Sequence, residues 1–189
     1  FIVNLSGNNF SAPIPEFFAD FRNLTSLDLS SCGLNGQFPK KIFQIPTLQT
    51  VDLSGNELLQ GSLPEFYPNG SLQSLQLSGS KFSGTLPDSI GNLKRLSEIY
   101  LTGCNFNGSI PNSLSNLTPL VYLDMSSNYF TGSIPNSLSN LTQLVYLDMS
   151  SNYFTGSIPS FSMAKNLTVI DLSSNHLTGH ITEGSIRSE

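Results

Sequence analysis

Five aspartates recur at one place in a repeating pattern: Asp28, Asp52, Asp124, Asp148 and Asp171. Carboxylates held in pairs are the groups that general acid–base chemistry uses. Their recurrence at a fixed spacing points elsewhere, to one outward structural position copied along the chain and hydrogen-bonded to neighbouring serines or backbone. Cys32 and Cys104 are the only cysteines. Three repeat steps separate them, about 14 Å at strand spacing, whereas a disulfide needs Cα atoms within about 7 Å. They read as two reduced, buried thiols. No Cys/His cluster accompanies them, so the sequence offers no metal site. His176 and His180 read as loop or solvent-exposed side chains. A nucleophile needs a base and an orienting group beside it, and no Gly-x-Ser-x-Gly elbow is present. The sequence predicts a chain that is not an enzyme and that takes no cofactor beyond covalent sugar.

Sugar chemistry is the modification that the sequence does encode. Asn-x-Ser/Thr acceptors stand at Asn4, Asn9, Asn23, Asn69, Asn107, Asn116, Asn140 and Asn166, and such acceptors belong on the surface of secreted chains. Asn23, Asn116, Asn140 and Asn166 share one repeat position. At Asn116 the proline Pro119 follows the acceptor triplet closely.

The elements that position these groups are repeats. Gly108 to Thr131 is followed by a near-copy, Gly132 to Thr155, in which Gln143 replaces Pro119. The same grammar places an apolar residue at 5, 29, 53, 77, 101, 125, 149 and 172, six steps of 24 residues and one of 23. A period of this length is the mark of a solenoid, each unit burying its apolar face against the next. The sequence predicts about eight repeats of 23–24 residues over 1–181, without caps, and a polar tail at 182–189. Within a unit, alternation such as Leu27 and Leu29 inward with Ser26, Asp28 and Ser30 outward predicts a short strand. An asparagine column follows at the turn: Asn8, Asn56, Asn128, Asn152 and Asn175. Ser80, Cys32 and Cys104 take that slot elsewhere, and an inward amide there can pair with loop backbone that burial would otherwise orphan. Phe10, Leu34, Leu58, Phe82, Phe106, Phe130, Phe154 and Leu177 form the next, apolar column, expected in the core. A Gly-x-apolar-Pro turn then leads into polar segments too short for a stable α-helix, which predicts 3₁₀ or single helical turns. Leu58-Leu59-Gln60-Gly61 carries one extra residue, expected as a local bulge.

The motif Leu-x-x-Leu-x-Leu-x-x-Asn-x-Leu-x-Gly-x-Ile-Pro at this period resembles the plant-specific leucine-rich repeat. Leu63-Pro-Glu-Phe-Tyr-Pro-Asn-Gly-Ser-Leu-Gln-Ser-Leu75, Lys81-Phe-Ser-Gly84 and Ser89-Ile-Gly-Asn-Leu-Lys-Arg-Leu96 are similar to ectodomains of plant receptor-like proteins, especially the tomato verticillium-wilt resistance type. The resemblance implies a right-handed superhelix, with a parallel β-sheet on the concave face and 3₁₀ or short helical turns on the convex face. It also implies a secreted or cell-surface location in the apoplast, N-glycosylation, a role in innate immunity, and signalling with a co-receptor kinase.

Net charge is −5, with 8 Lys and Arg against 13 Asp and Glu and no basic run, which excludes phosphate-neutralising nucleic-acid binding. No apolar run reaches the roughly 18–20 residues of a membrane span, and Phe1-Ile2-Val3-Asn4-Leu5 has no leader pattern. A recognition surface then belongs on the outward strand positions, where Glu98, Tyr100, Tyr122, Asp124, Tyr146 and Asp148 gather as one aromatic and acidic patch. The expected role is extracellular recognition of a protein, peptide or glycan. Two alternatives stand beside it: end-to-end self-assembly of an uncapped repeat glycoprotein into filaments, and inhibition of a secreted pathogen hydrolase.

Overall fold

The computed structural model of the chain describes residues 1–186. Eight strands stack in sequence order into one parallel sheet: Ile2–Asn4, Ser26–Asp28, Thr50–Asp52, Ser74–Gln76, Glu98–Tyr100, Tyr122–Asp124, Tyr146–Asp148 and Val169–Asp171. Each pairs with the equivalent residues of its neighbour, as in Leu123 opposite Leu147. The middle residue of each strand from Leu27 to Leu147 is buried, and its two neighbours stand partly exposed on the other face, Ser74 being a buried exception. This is the solenoid of parallel strands that the spacing predicts. Five 3₁₀ turns form the opposite side, at Glu16–Asp20, Lys40–Gln44, Asp88–Asn92, Asn112–Asn116 and Asn136–Asn140. A proline precedes each one, pre-setting the backbone where a missing N–H costs nothing.

A second parallel sheet of seven strands was not foreseen from the sequence. It comprises Asn35–Gln37, Leu58–Gly61, Lys81–Gly84, Asn105–Gly108, Tyr129–Ser133, Tyr153–Gly156 and His176–Leu177. The Gly of the Gly-x-apolar-Pro motif closes most of these strands. Gly108 sits at φ +75°, and a Cβ there would come within 2.7 Å of Thr85 Cγ2, so glycine meets both a conformational and a steric requirement.

The asparagine column is a ladder of buried amides. Asn128 Nδ2 donates to the carbonyls of Leu101 at 2.7 Å, Met125 at 3.2 Å and Ser126 at 3.0 Å, while its Oδ1 accepts from Phe106 N at 3.0 Å. Asn56 and Asn152 repeat this geometry, as does the half-buried Asn175. Each amide therefore satisfies backbone of its own unit and of the unit before. Asn8 differs: it is exposed and donates only to Leu5 O within its own unit. Cys104, buried and unpaired, uses its thiol as the donor instead, to Leu77 O at 3.1 Å. Burial pushes that thiol up in pKa against the lowering contacts of Ser80 and Gly79, which keeps it protonated and able to donate.

Two members of the expected apolar column are exposed, and a third, Leu177, is only half-buried. Leu58 is 57% exposed and Leu59, 0% exposed, occupies the core in its place. The extra residue of the third unit shifts the alternation by one, and a one-residue slip in a strand sends every side chain to the other face. Phe10, in the first of the stacked units described, is 47% exposed. A cavity of about 250 Å³ opens there, lined by Leu5, Phe10, Ile14, Phe18, Leu29 and Leu34 among others. At the far end, part of the expected polar tail forms a helical turn, Glu183–Ile186, held by a 2.6 Å bond from Ser160 Oγ to Gly184 O.

The shifted register makes a direct prediction. Leu59→Ala should lose about 2–5 kcal/mol of stability, and Leu58→Ala less than about 0.5 kcal/mol, measured by urea unfolding. In the amide ladder, Asn128→Ala should cost about 3 kcal/mol by leaving several buried backbone groups unpaired. Asn8→Ala should leave the unfolding free energy within about 0.5 kcal/mol of the parent.

Candidate functional site

The outward face of the eight-stranded sheet brings the sequence-predicted residues together. Because the strands pair in register, Tyr122 lies opposite Tyr146 and Glu98, and Asp124 opposite Asp148 and Tyr100. The Tyr122 and Tyr146 rings stack at 4.2 Å between centroids and 4° between planes. Tyr100 comes from the adjacent column but leans across, its ring 4.7 Å from Tyr122 at 31°. Three phenol rings thus form one ladder, half-buried against each other rather than standing free.

The aspartates beside it are occupied by local structure. Asp124 Oδ1 accepts from Ser126 N at 3.0 Å and Ser126 Oγ at 2.7 Å. The same two bonds join Asp28 to Ser30 and Asp52 to Ser54. Asp148 accepts from Ser150 N and Asp171 from Ser173 N, each at 2.9 Å. These are side-chain turns that hold the backbone leaving each strand. The hydrogen bonds from Ser173 keep Asp171 below its ordinary pKa. Asn4 replaces aspartate in the first unit and takes the same bonds from Ser6. One oxygen of each aspartate is thereby used, leaving the other to face solvent or the tyrosines. Tyr146 Oη lies 3.3 Å from Asp148 Oδ2 as donor.

Electrostatics follow from this packing. Burial within the ladder, then the charges of Asp148 and Asp124, push Tyr146 from 10.0 to about 12. Burial and the neighbouring Glu98 likewise raise Tyr100. The two outward columns hold Asp28, Asp52, Glu98, Asp124, Asp148 and Asp171 and no Lys, Arg or His. Basic residues lie elsewhere: Lys40 and Lys41 in a 3₁₀ turn, Lys94 and Arg95 just after another, and Arg22 and Lys165 ahead of strands.

A second aromatic group was missed in the sequence. Tyr129 and Tyr153 stack at 6.3 Å and 14° on the second sheet, with His176 edge-on to Tyr153 at 5.9 Å. The signal was the aromatic or imidazole residue just before the buried Phe or Leu column at 24- and 23-residue spacing. His176 lies in a strand and is solvent-exposed, one of the two settings the sequence suggested. All eight glycan acceptor asparagines are exposed, and Asn116 and Asn140 end 3₁₀ turns. Among the described residues no group of three or more His, Cys, Asp or Glu could hold a metal ion, and no helix is long and apolar enough to cross a membrane.

A profile of the Leucine Rich Repeat family matches eight successive segments, 2–21, 23–45, 47–69, 71–93, 95–117, 119–141, 143–163 and 166–185. The chain belongs to the leucine-rich-repeat family. Receptor-like protein 6 of Arabidopsis thaliana is 43% identical over 92 residues, covering 49% of this chain and 9% of that protein. The crystal structure of PEPR1–AtPEP1 superposes with a TM-score of 0.92 at 38% identity, over 96% of this chain and 26% of that one. The Arabidopsis receptor kinase HAESA, in complex with the peptide hormone IDA and the co-receptor SERK1, gives 0.89 and 34% over 93% and 30%. The chain thus spans a minor part of each of these three proteins.

The ladder predicts an alkaline signature. In the folded chain Tyr146 keeps its proton to about pH 12, whereas the unfolded phenol releases it near 10. The folded state binds more protons in that window, so stability should fall as pH rises from about 10 to 12. Tyr146→Phe should remove this contribution, which chemical denaturation across the alkaline range will read. NMR titration of the Tyr146 ring should place its midpoint near pH 12.

Proposed function

We propose that this chain is an extracellular recognition segment of a plant receptor-like protein of immune type, and that the outward face of its eight-stranded sheet takes a peptide or protein ligand. The tyrosine ladder carries this reading. Tyr100, Tyr122 and Tyr146 present ring edges and hydroxyls side by side, already immobilised by mutual stacking, so a ligand orders little on contact. Tyrosines so placed are common binding anchors. Glu98, Asp124 and Asp148 border them on a face without a basic residue, which favours a ligand bearing Lys or Arg side chains.

Similarity to HAESA, whose complex holds the peptide hormone IDA, supports the peptide class of ligand, and the co-receptor SERK1 in that complex supports a co-receptor as second partner. The eight exposed acceptor asparagines support passage through the secretory pathway and N-glycosylation at the cell surface or in the apoplast. Asn4 lies on the ligand face at the far end from the ladder, so a glycan there leaves the tyrosines open.

Panning a random peptide library displayed on phage against the immobilised chain tests the reading. Enriched peptides should carry basic residues and should lose about thirtyfold in affinity to Tyr122→Ala, the scale of a binding hot spot. Asp148→Asn keeps the oxygen that holds Ser150 and should weaken the same peptides less. Tyr153→Ala, on the other sheet, should bind as the parent does. Peptides indifferent to Tyr122→Ala, or dependent on Tyr153 alone, would move the site off this face.

A further inference from the structure

The third unit departs from the others on the 3₁₀ side. In four units the apolar residues three and six places after the turn proline are buried: Ile42 and Ile45, Ile90 and Leu93, Leu114 and Leu117, Leu138 and Leu141. After Pro64 those places fall on Tyr67, which is 66% exposed, and on Gly70, which has no side chain to offer. No 3₁₀ turn forms there. The seventh unit also lacks the turn and is also one residue short, but it fills its layer with buried Phe161 and Ala164, two and five places after Pro159. In the third unit Phe66 is buried as the counterpart of Phe161, whereas the counterpart of Ala164 is the exposed Asn69.

Leu93 Cδ2 comes within 2.9 Å of where a Cβ on Gly70 would stand, and beside it a hollow of about 80 Å³ remains, walled by Phe43, Ile45, Phe66, Tyr67 and Leu93 with Asn69 on its lining. A single water needs roughly 10–15 Å³, so this hollow has room for more than one, between its apolar wall and the polar Gln44, Asn69 and Ser71 on its lining. Asn69 stands in the Pro68–Asn69 turn at φ +72°, a conformation that asparagine tolerates better than most residues. It heads the acceptor triplet Asn69-Gly70-Ser71. Tyr67, two residues before it, projects an exposed ring whose negative face attracts the polarised C–H groups of a pyranose.

We propose that the third unit is completed by a glycan: the first N-acetylglucosamine on Asn69 lies on the Tyr67 ring and covers this hollow, its acetamide methyl turned toward the apolar wall. This rests on the extracellular reading above. The glycan at Asn69 is then a structural part of the solenoid, whereas glycans on the other acceptors, such as Asn166 in the well-filled seventh unit, only coat it.

The 189-residue chain, secreted from plant cells with high-mannose glycans, tests this through glycopeptide mass spectrometry and thermal unfolding. Asn69 should be occupied. Ser71→Ala removes its acceptor without disturbing the positive φ of Asn69, and should lower the Tm by about 2–4 °C. The same change in a Tyr67→Ala background should give no further shift, the sign of a shared interaction. Enzymatic trimming to a single N-acetylglucosamine should leave the Tm where it was, and Asn166→Gln should also leave it unchanged. A Ser71→Ala chain as stable as the parent, or a loss that persists without Tyr67, overturns the proposal. Asn69 bare while Asn140 and Asn166 carry sugar overturns it and leaves the extracellular reading standing. All eight acceptors bare would overturn both.

Discussion

The structure depends on the way buried backbone is satisfied at the corner after each strand. A unit of 24 residues is too thin to hide its own turn from solvent on one side and its neighbour on the other without orphaning carbonyls. Asn56, Asn128 and Asn152 resolve this by reaching into the preceding unit, to Leu29 O, Leu101 O and Met125 O, while holding carbonyls of their own turn. An unpaired buried carbonyl or N–H costs about 1–3 kcal/mol, so stacking and corner chemistry are one event. Thiols at Cys32 and Cys104 and the hydroxyl of Ser80 take over the donor half of this task.

With the corners tied inward, the strand's outward positions are released from the core. Aspartate at the end of the strand anchors the turn through Ser N–H and Oγ using one oxygen, so the acidic ladder is first a structural device. Its second oxygens leave a negative field across the sheet face. That field becomes local and specific only between Glu98 and Asp148, where three tyrosines from two columns converge into one stack. In the proposed function, structural need and recognition would fall to the same residues.

Irregularity marks where the repeat's rules are suspended. One residue inserted before Gly61 turns Leu58 out and Leu59 in, and one residue removed after Pro64 costs the unit its 3₁₀ turn. The period survives because the two errors cancel before Leu72, but the packing between them does not. The hollow beside Asn69 is the residue of that cancellation.

Repetition made most of the molecule legible. A fixed spacing of Leu, Asn, Phe and Gly-x-apolar-Pro implies in-register stacking, because identical units can share only one relation to their neighbours. The parallel sheet, the 3₁₀ side and the inward amides followed from that. The tyrosine patch was legible too, since Tyr122 and Tyr146 occupy one column. Other features depend on relations between units that no single column records. The second sheet forms because the residues around the Gly turn lie close enough to pair once the corners are locked. Tyr100 joins the ladder by leaning across columns. Phe10 and Asn8, identical in type to buried residues elsewhere, are exposed because burial in a solenoid is supplied by the neighbour and not by the residue. Side-chain identity determined what each position can do; the adjoining unit decided whether it is core, corner or surface.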